Sequence, residues 1–389
     1  MTWSHPYGVP QAEHAPQGPL APDLGRATAH ALASAEAVRA HSAGEVYGDF
    51  YPRLGHANGW QWECLVAAAE RSEGAVAFAS GMAAMHAAVL GHCGAKDRVL
   101  VAEQIYGGTE GLVTKDLPRF GVEVERFDAL DPGALARGLE RPARLVLLET
   151  PINPTLRIVD LVAAAALCRK AGALLVVDGT FAPPPVQFAC GLGADLVVHS
   201  ATKFYGGHTD VMAGVVAGTH AALAAVVAFR TRSGGVLAAD PAWLLCRSMA
   251  THALRVERQQ QNARICAEAL AAGAGKGAPI EAVSYPGLAA HPDHALAARQ
   301  MHGGGGLVTV TVRGGLEGAR ATFERLRRIA RAPSLGGVES VASIPRFTTH
   351  ARVEPAVLRR NGIADGMLRL SIGVGDPELV IQDLRQAVR

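Results

Sequence analysis

The segment around Lys203 combines an amine with hydroxyl groups and could bind a phosphorylated aldehyde. Lys203 ends a turn that contains Ser200 and Thr202, and this turn follows the apolar stretch Asp195–His199. A lysine amine can form an imine with an aldehyde, and the two hydroxyl groups can donate hydrogen bonds to a phosphate. Taken alone, the segment is also typical of an ordinary exposed lysine after a strand.

A carboxylate at the end of the preceding apolar stretch favours the first interpretation. Asp178 closes the run Ala173–Asp178, which has the pattern of a buried strand. A carboxylate beside a pyridine nitrogen keeps that nitrogen protonated, and the protonated ring can then accept electrons from a substrate. The amine of Lys203, the neighbouring hydroxyl groups and Asp178 together predict pyridoxal 5′-phosphate (PLP) as the cofactor.

Three further strand ends carry groups that could complete such a site. Gly81 and Met82 begin a helix whose free amides could bind phosphate. Tyr106 could stack on a planar ring, and Asn153 lies in a turn between two prolines. Each signal is weak alone, because tyrosines often pack at sheet edges and asparagine before proline is common in turns. Ligands of open α/β sheets bind outside the carboxyl ends of the strands, so candidates at five such ends predict one shared site.

The elements that position these groups are predicted to form an α/β fold with a mainly parallel sheet. Continuous apolar runs are typical of strands that are buried on both faces. Helices are predicted between the early strands, over Met82–His92, Gly107–Phe120 and Val159–Ala171. The predicted strands are Ala75–Ala79, Arg98–Ala102, Val122–Phe127, Arg144–Glu149, Ala173–Asp178, Asp195–His199 and Gly214–Ala217.

The chain is predicted to have three parts. Residues 1–58 form an N-terminal arm that contributes to the neighbouring subunit, residues 59–245 the large PLP-binding domain, and residues 246–389 a C-terminal α+β domain. The arm is predicted to be extended over Met1–Pro22 and helical over Leu24–His41. Beyond Asp240-Pro241, the predictions are a long helix to about Ala272, strands at Gly306–Val312 and Leu368–Ile372, and a helix at Leu316–Ile329.

Composition narrows the class of protein. The 389 residues are 49% hydrophobic with a formal charge of +2. This charge is close to neutral, so the sequence does not predict binding to nucleic acid or to an anionic membrane. Neither a signal-peptide pattern nor a long apolar run is evident. The six cysteines are scattered without metal-binding spacing, which is typical of reduced thiols. We therefore expect a soluble, cytoplasmic protein without a metal site.

The motifs, in this order, resemble the Cys/Met-metabolism family of PLP enzymes, which includes cystathionine γ-synthase, cystathionine lyases, methionine γ-lyase and O-acylhomoserine sulfhydrylases. The resemblance covers roughly residues 45–389. It implies the aspartate-aminotransferase-like fold of PLP-dependent transferases (fold type I) and assembly into homodimers or homotetramers. The matching segments are Ser80–Ala84, Tyr106–Thr109, Asp178–Phe181, His199–Lys203, Tyr285–Leu288, Ser334–Gly337 and Leu370–Gly373.

The resemblance also implies a role for each candidate residue. Lys203 would hold PLP covalently, Asp178 would pair with the ring nitrogen, and Tyr106 would stack on the ring and take part in proton transfer. The phosphate would be bound by Gly81, Met82, Ser200 and Thr202 and, from the neighbouring subunit, by Tyr51 and Arg53. The substrate carboxylate would be bound by Arg369, with help from Asn153 and Ser334.

Several positions depart from the family pattern. Cystathionine enzymes usually carry arginine at the position of Gly111 and tend to carry glutamate at that of Pro333, so both charged contacts for a distal amino acid are absent. Methionine γ-lyases lack these charges too, but their reactive cysteine is replaced by Gly108. Gly179 replaces the usual asparagine and could loosen the floor beneath the cofactor, and His56 begins a segment that could reshape the mouth of the site.

These observations predict γ-replacement or γ-elimination on a homoserine- or methionine-like amino acid, with a partner other than cystathionine. One alternative is a β- or γ-lyase that acts on cystathionine or cysteine. Another is a catalytically silent PLP-fold binding protein, which the presence of Lys203, Asp178, Tyr106 and Arg369 disfavours.

Overall fold

The computed structural model describes residues 21–388 apart from positions 44, 47 and 352. Within them, one sheet has seven strands in the order β1-β7-β6-β5-β4-β2-β3. All neighbouring strands in it are parallel except that β7 runs antiparallel to β1 and β6. The strands are β1 (Gly74–Phe78), β2 (Arg98–Ala102), β3 (Glu123–Phe127), β4 (Leu145–Glu149), β5 (Leu174–Asp178), β6 (Leu196–His199) and β7 (Gly214–Gly218).

The central strands are apolar because helices cover both faces of this sheet. Every residue of β2 and of β4 is buried, as expected for parallel strands in the middle of an α/β protein. Their side chains belong to one large hydrophobic core, which includes Leu100, Leu147 and Val176. Because β4, β5 and β6 are parallel, their carboxyl ends lie at the same edge of the sheet, where short turns carry polar residues.

Helices follow most of these strands and continue into the second half of the chain. Those before residue 200 are α1 (Ala35–Ser42), α2 (Ala57–Glu70), α3 (Gly81–Leu90), α4 (Gly107–Gly111), α5 (Leu117–Arg119), α6 (Ala134–Gly138) and α7 (Leu161–Ala171). Those after it are α8 (His220–Ser233), α9 (Ala239–Met249), α10 (His252–Ala271), α11 (His294–Gln300), α12 (Gly315–Arg325), α13 (Pro355–Arg360) and α14 (Pro377–Ala387). None of the helices described is both long and apolar enough to cross a membrane.

A second, smaller sheet lies in the C-terminal part of the chain. Its order is β10-β11-β12-β9-β8, and only the pair β10–β11 is parallel. Side chains of α10, α12 and α14 pack with it around a separate core. Its strands are β8 (Ile280–Ser284), β9 (Leu307–Val312), β10 (Ala330–Arg331), β11 (Val341–Ser343) and β12 (Met367–Ser371).

Two predictions for the arm have different outcomes. The extended segment predicted at Met1–Pro22 lies outside the described residues except for its last two positions. The helix predicted at Leu24–His41 is wrong in its first half, because α1 begins only after Ser34, whose hydroxyl accepts the Ala37 amide. Before it, the Gly25 amide donates to the Asn58 side chain, so tertiary contacts hold this segment out of a helix.

Two other predicted helices are also interrupted or shortened. The long helix predicted from Asp240-Pro241 to Ala272 is two helices, α9 and α10, separated at Thr251. There the Ser248 carbonyl accepts a hydrogen bond from the Arg255 guanidinium at 3.0 Å. The helix predicted at Leu316–Ile329 ends at Arg325, because the amides of the next residues donate to the Asp383 carboxylate instead.

Candidate active site

A cavity of about 440 Å³ opens at the carboxyl ends of β4, β5 and β6. Its size is in the range of small-molecule sites. Of the residues predicted from the sequence, those in its wall are Gly81, Met82, Tyr106, Asn153, Asp178, Ser200, Thr202, Lys203 and Arg369.

The amine of Lys203 faces this cavity in a partly buried position. Its Nζ donates a hydrogen bond to Ser334 Oγ at 3.1 Å. Burial lowers the pKa of Lys203, and the positive charge of Arg369 lowers it further. A lowered pKa favours the neutral amine, which is the form that attacks an aldehyde or accepts a proton.

Asp178 ends β5 at the floor of the cavity. Burial raises the pKa of its carboxyl group, while the hydrogen bonds from Thr180 and the charge of His199 act in the opposite direction. The Thr180 amide donates to Asp178 Oδ1 at 3.0 Å, and the Thr180 hydroxyl accepts the Ser200 amide at 3.0 Å. Thr180 therefore joins the end of β5 to the turn that leads to Lys203. The sequence interpretation missed it, although its place two residues after Asp178 was a usable signal.

Glu149 is a second buried carboxyl group that the sequence interpretation did not assign to the site. It ends β4 and is the register neighbour of Asp178 on β5. Its Oε2 accepts the Tyr106 amide at 2.7 Å, and its Oε1 accepts the Asn153 amide at 2.9 Å. Burial raises the pKa of Glu149 well above its ordinary value, and the negative charge of Asp178 adds to this effect. A polar residue that ends a central strand was the available signal.

Arg369 lies on β12 of the second sheet and reaches the cavity from the opposite side. It is only 3% exposed, and burial lowers its pKa to about 10, so the guanidinium stays charged at neutral pH. One of its nitrogens donates to Asn153 Oδ1 at 3.1 Å and another to the Ser334 carbonyl at 3.3 Å. Asn153 and Ser334 thus hold a charged group that could bind a carboxylate in a two-pronged contact.

The amino end of α3 faces the same cavity and is shaped to hold an anion. Ser80 accepts the Ala83 amide at 3.1 Å, which leaves the earlier amides of Gly81 and Met82 at the positive end of the helix. A Cβ atom at Gly81 would lie 2.8 Å from Ser200 Cβ, so only glycine permits this approach. The Thr202 hydroxyl, in contrast, donates to the Ala213 carbonyl at 3.2 Å and would have to rotate to bind a phosphate.

Three of the predicted site residues do not line the cavity. Ser334 touches it only through its contacts with Lys203 and Arg369. Tyr51 is exposed, and the Arg53 guanidinium lies 5.3 Å from its ring centroid and donates to the Thr231 carbonyl. In its own subunit this pair therefore contacts α8.

The departures Gly179 and His56 both have structural explanations. A Cβ atom at Gly179 would lie 2.9 Å from Cε1 of His199, so the histidine ring fills the space beneath the cavity. His199 Nε2 lies 2.6 Å from Glu70 Oε1, which also accepts the Tyr205 hydroxyl. The floor is therefore packed, not loosened as the sequence suggested. His56 accepts the Gly59 amide at the start of α2, away from the cavity.

These donors fit PLP in their chemistry. The cavity combines a partly buried amine at Lys203, a partly buried carboxyl group at Asp178, a helix amino terminus at Gly81 and a guanidinium at Arg369. The amine can react with an aldehyde, and the carboxyl group can pair with a pyridine nitrogen. The helix amides can bind a phosphate, and the guanidinium can bind an amino-acid carboxylate. The fold and this site define an α/β enzyme of the PLP-dependent class.

Comparison with known proteins gives the family. The family model of the Cys/Met metabolism PLP-dependent enzymes matches residues 10–389, and the chain belongs to this family. It is 34% identical to the L-methionine γ-lyase of Pseudomonas putida over 96% of this chain and 93% of that protein. It is 38% identical to the cystathionine γ-lyase of Bacillus subtilis (strain 168) over 89% and 90% of the two chains.

A solved structure has the same fold. The cystathionine γ-synthase from Xanthomonas oryzae pv. oryzae, in complex with aminoacrylate and cysteine, superposes with a TM-score of 0.88. It is 33% identical, and the match covers 96% of this chain and 94% of that one. The α/β fold with a second sheet domain, the PLP dependence and the enzyme class predicted from the sequence are confirmed. The protein is a PLP-dependent lyase or synthase of Cys/Met metabolism that acts on an amino acid.

Proposed function

We propose that the enzyme catalyses γ-elimination or γ-replacement on a homoserine- or methionine-like amino acid whose γ-substituent is small or uncharged. The observation that carries this proposal is the distribution of charge in the cavity wall. Its charged groups are Glu149, Asp178, Lys203 and Arg369, and all four lie at the cofactor and carboxylate end. The other described residues of the wall carry no charge and include Met82, Met85, Thr109, Phe181, Met212, Pro333, Leu335 and Thr349.

The positions of the missing family charges agree with this distribution. Apart from its chain neighbours and the backbone of α4, no described atom lies within 4 Å of a Cβ built at Gly111, so a side chain could begin there without a clash. The adjacent Glu110 forms an ion pair with Arg126, and neither residue belongs to the cavity wall. Leaving the distal charges of cystathionine without a partner in a desolvated pocket would cost roughly 2–5 kcal/mol.

Three arginines that could have supplied a substitute charge lie away from the cavity. Arg26 forms an ion pair with Asp240 on the surface, and Arg119 is exposed beside Asp116. Arg232 is exposed as well, near the end of α8. None of these three arginines belongs to the cavity wall.

The residues of the site have complementary tasks in this reaction. When bound, PLP supplies an electron sink for the negative charge that develops at the substrate Cα. Lys203 would hold the cofactor and then move the Cα proton, and its lowered pKa suits an amine that must alternate between neutral and protonated forms. Asp178 would bind the ring nitrogen, and Tyr106 would stack on the ring and assist proton transfer. Arg369, held by Asn153 and Ser334, would orient the substrate carboxylate.

The phosphate would be bound by groups of two subunits. Within one chain these are the amides of Gly81 and Met82 and the hydroxyls of Ser200 and Thr202. From the neighbouring chain they are Tyr51 and Arg53, whose exposed position supports a contact across a dimer interface. We propose a homodimer or homotetramer on this basis. We also propose a cytoplasmic location, which is supported by six free cysteines.

A second candidate is a lyase that acts on cystathionine or cysteine. It is favoured by the 38% identity to a cystathionine γ-lyase, which exceeds the 34% identity to a methionine γ-lyase. The two identities differ little. Binding of cystathionine, in contrast, directly requires charged side chains that pair with its distal amino and carboxylate groups. The uncharged wall therefore favours the first function.

Restoring the missing positive charge tests this proposal. Gly111→Arg should raise kcat/KM for cystathionine by about tenfold or more, because a desolvated ion pair would form at the open position. Gly111→Met adds comparable bulk without charge and is the matched control, which should not improve cystathionine turnover. Wild-type protein that already prefers cystathionine, together with no gain in Gly111→Arg, would contradict the proposal.

A further inference from the structure

Glu149 connects two turns that carry different parts of the site. The amide of Tyr106, which precedes α4, donates to one of its carboxylate oxygens, and the amide of Asn153 donates to the other. Glu149 itself is 5% exposed and ends a strand in the middle of the sheet. The carboxylate is therefore anchored more firmly than either turn.

The contact with Glu149 is one of the backbone hydrogen bonds of the loop after β4, beside those that its carbonyls accept from Ser284 and Thr309. Pro151 and Pro154 have no amide hydrogen, and the Ile152 amide donates to the Arg157 carbonyl. The Asn153 amide is therefore the donor through which this part of the loop is held against β4. Asn153 in turn accepts a hydrogen bond from Arg369 at 3.1 Å, so the chain of contacts reaches the guanidinium.

On the other side, the contact fixes the start of the tyrosine turn. Tyr106 has no side-chain hydrogen bond that caps α4, and its side chain is 40% exposed at the edge of the cavity. Its backbone is held by Glu149 at the amide and by the Glu110 amide at the carbonyl. A shift of the Glu149 carboxylate would move this backbone and with it the aromatic ring.

We propose that Glu149 is a positioning residue that fixes Tyr106 and Asn153 relative to each other, and so links ring stacking to carboxylate binding. This inference rests on the proposed roles of Tyr106, Asn153 and Arg369. Burial and the nearby Asp178 raise the pKa of Glu149, while the amides of Asn153 and Tyr106 and the charge of Arg369 act in the opposite direction. The two amides, one on each side-chain oxygen, are the contacts through which Glu149 holds both turns.

Glu149→Gln tests the proposal because glutamine has nearly the same shape as glutamate but only one side-chain oxygen. It can therefore accept a hydrogen bond from only one of the two amides. The matched control is Glu63→Gln, since Glu63 is a partly buried glutamate that also accepts a backbone amide, from Ala77 at 2.7 Å, but outside the site. Two quantities are measured on PLP-saturated protein: the visible circular dichroism of bound PLP, and the Kd of L-norleucine. Norleucine has the shape of methionine but no leaving group.

At equal PLP content, Glu149→Gln should change the visible dichroism and weaken norleucine binding by about tenfold or more, as expected when a buried backbone amide loses its acceptor. Glu63→Gln should lower the thermal midpoint and leave both quantities unchanged. If Glu149→Gln does not fold, Glu149→Asp, which is one methylene shorter, must show the same two changes.

Three results would overturn the proposal. They are unchanged dichroism and norleucine affinity in the Glu149 variant, a change in only one of them, and equal changes in Glu63→Gln. The first two leave the proposed function intact as long as the wild type binds norleucine. A wild type that holds PLP but does not bind norleucine contradicts the proposed function, and this inference with it.

Discussion

At the scale of single residues, the site depends on burial to adjust the charge of its groups. The pKa of Lys203 is lowered by burial and by Arg369, whereas the pKa of Asp178 is raised by burial. Each shift moves a group toward the neutral form when no ligand is bound. A pyridine nitrogen beside Asp178 would restore its negative charge, because a nearby cation favours the carboxylate.

Replacing the amine is therefore expected to remove catalysis without emptying the site. Lys203→Ala should abolish turnover and the visible absorbance of covalently bound PLP, while the phosphate contacts at Gly81 and Ser200 still retain some cofactor. Turnover assays and absorbance spectra after gel filtration measure both effects. Near-normal activity in Lys203→Ala would exclude the assignment of this residue.

The positions of Asp178 and Lys203 were predictable because the first ends, and the second closely follows, neighbouring parallel strands of one sheet. Glu149 and Thr180 were missed, although their places at or just after strand ends were a usable signal, because the sequence does not show which groups they contact. Their importance lies in backbone amides that they accept, from Tyr106 and Asn153 in one case and Ser200 in the other. Tyr106 and Ser200 are distant in sequence from these acceptors, so the local pattern shows the strand end but not the contact.

At the scale of elements, apolar runs predicted the strands well and helix ends poorly. The prediction for Arg98–Ala102 is confirmed to the residue, since a fully buried strand has the same pattern on both faces. Two predicted helices ended where side chains form hydrogen bonds with their backbone groups. Arg255 donates to the Ser248 carbonyl near Thr251, and Asp383 accepts the amides that follow α12. The division at residues 58 and 245 stays a prediction.

The end of α12 allows a direct test of one such contact. Burial acts to raise the pKa of Asp383, but hydrogen bonds from the amides of Ile329, Arg328 and Arg327 outweigh it and leave that pKa lowered. Asp383→Asn should therefore reduce the free energy of unfolding by roughly 1.5–3 kcal/mol at neutral pH. The exposed Glu281, replaced by glutamine, serves as the control in urea unfolding.

The pH dependence of this effect has a definite sign. A lowered folded-state pKa gives stability that is complete above the ordinary pKa of aspartate and is lost as the pH falls through the folded value. The difference between wild type and Asp383→Asn should therefore shrink at pH about 4 and below. A difference that stays constant across this range would show that the charge of Asp383 has no part in it.

At the scale of the whole molecule, the proposed site requires two chains. Arg53→Ala and Lys203→Ala should each be inactive, the first because PLP retention weakens by roughly 1.5–3 kcal/mol. Mixed dimers should regain activity, since one of their two sites has both residues intact. Activity assays after confirmed subunit exchange measure this recovery. Inactive mixtures would contradict a site shared between subunits.

The most direct measurement of substrate choice places the competing substrates in one tube. Equal concentrations of methionine, an O-acylhomoserine with a small thiol, and cystathionine are incubated with the wild-type enzyme, and the loss of each is followed. Relative rates of consumption then give relative kcat/KM values. An uncharged distal wall predicts that methionine or the homoserine ester is consumed at least about tenfold faster than cystathionine, a difference of roughly 1.4 kcal/mol. If cystathionine disappears first, the enzyme recognises a charged distal group and the proposed function is wrong.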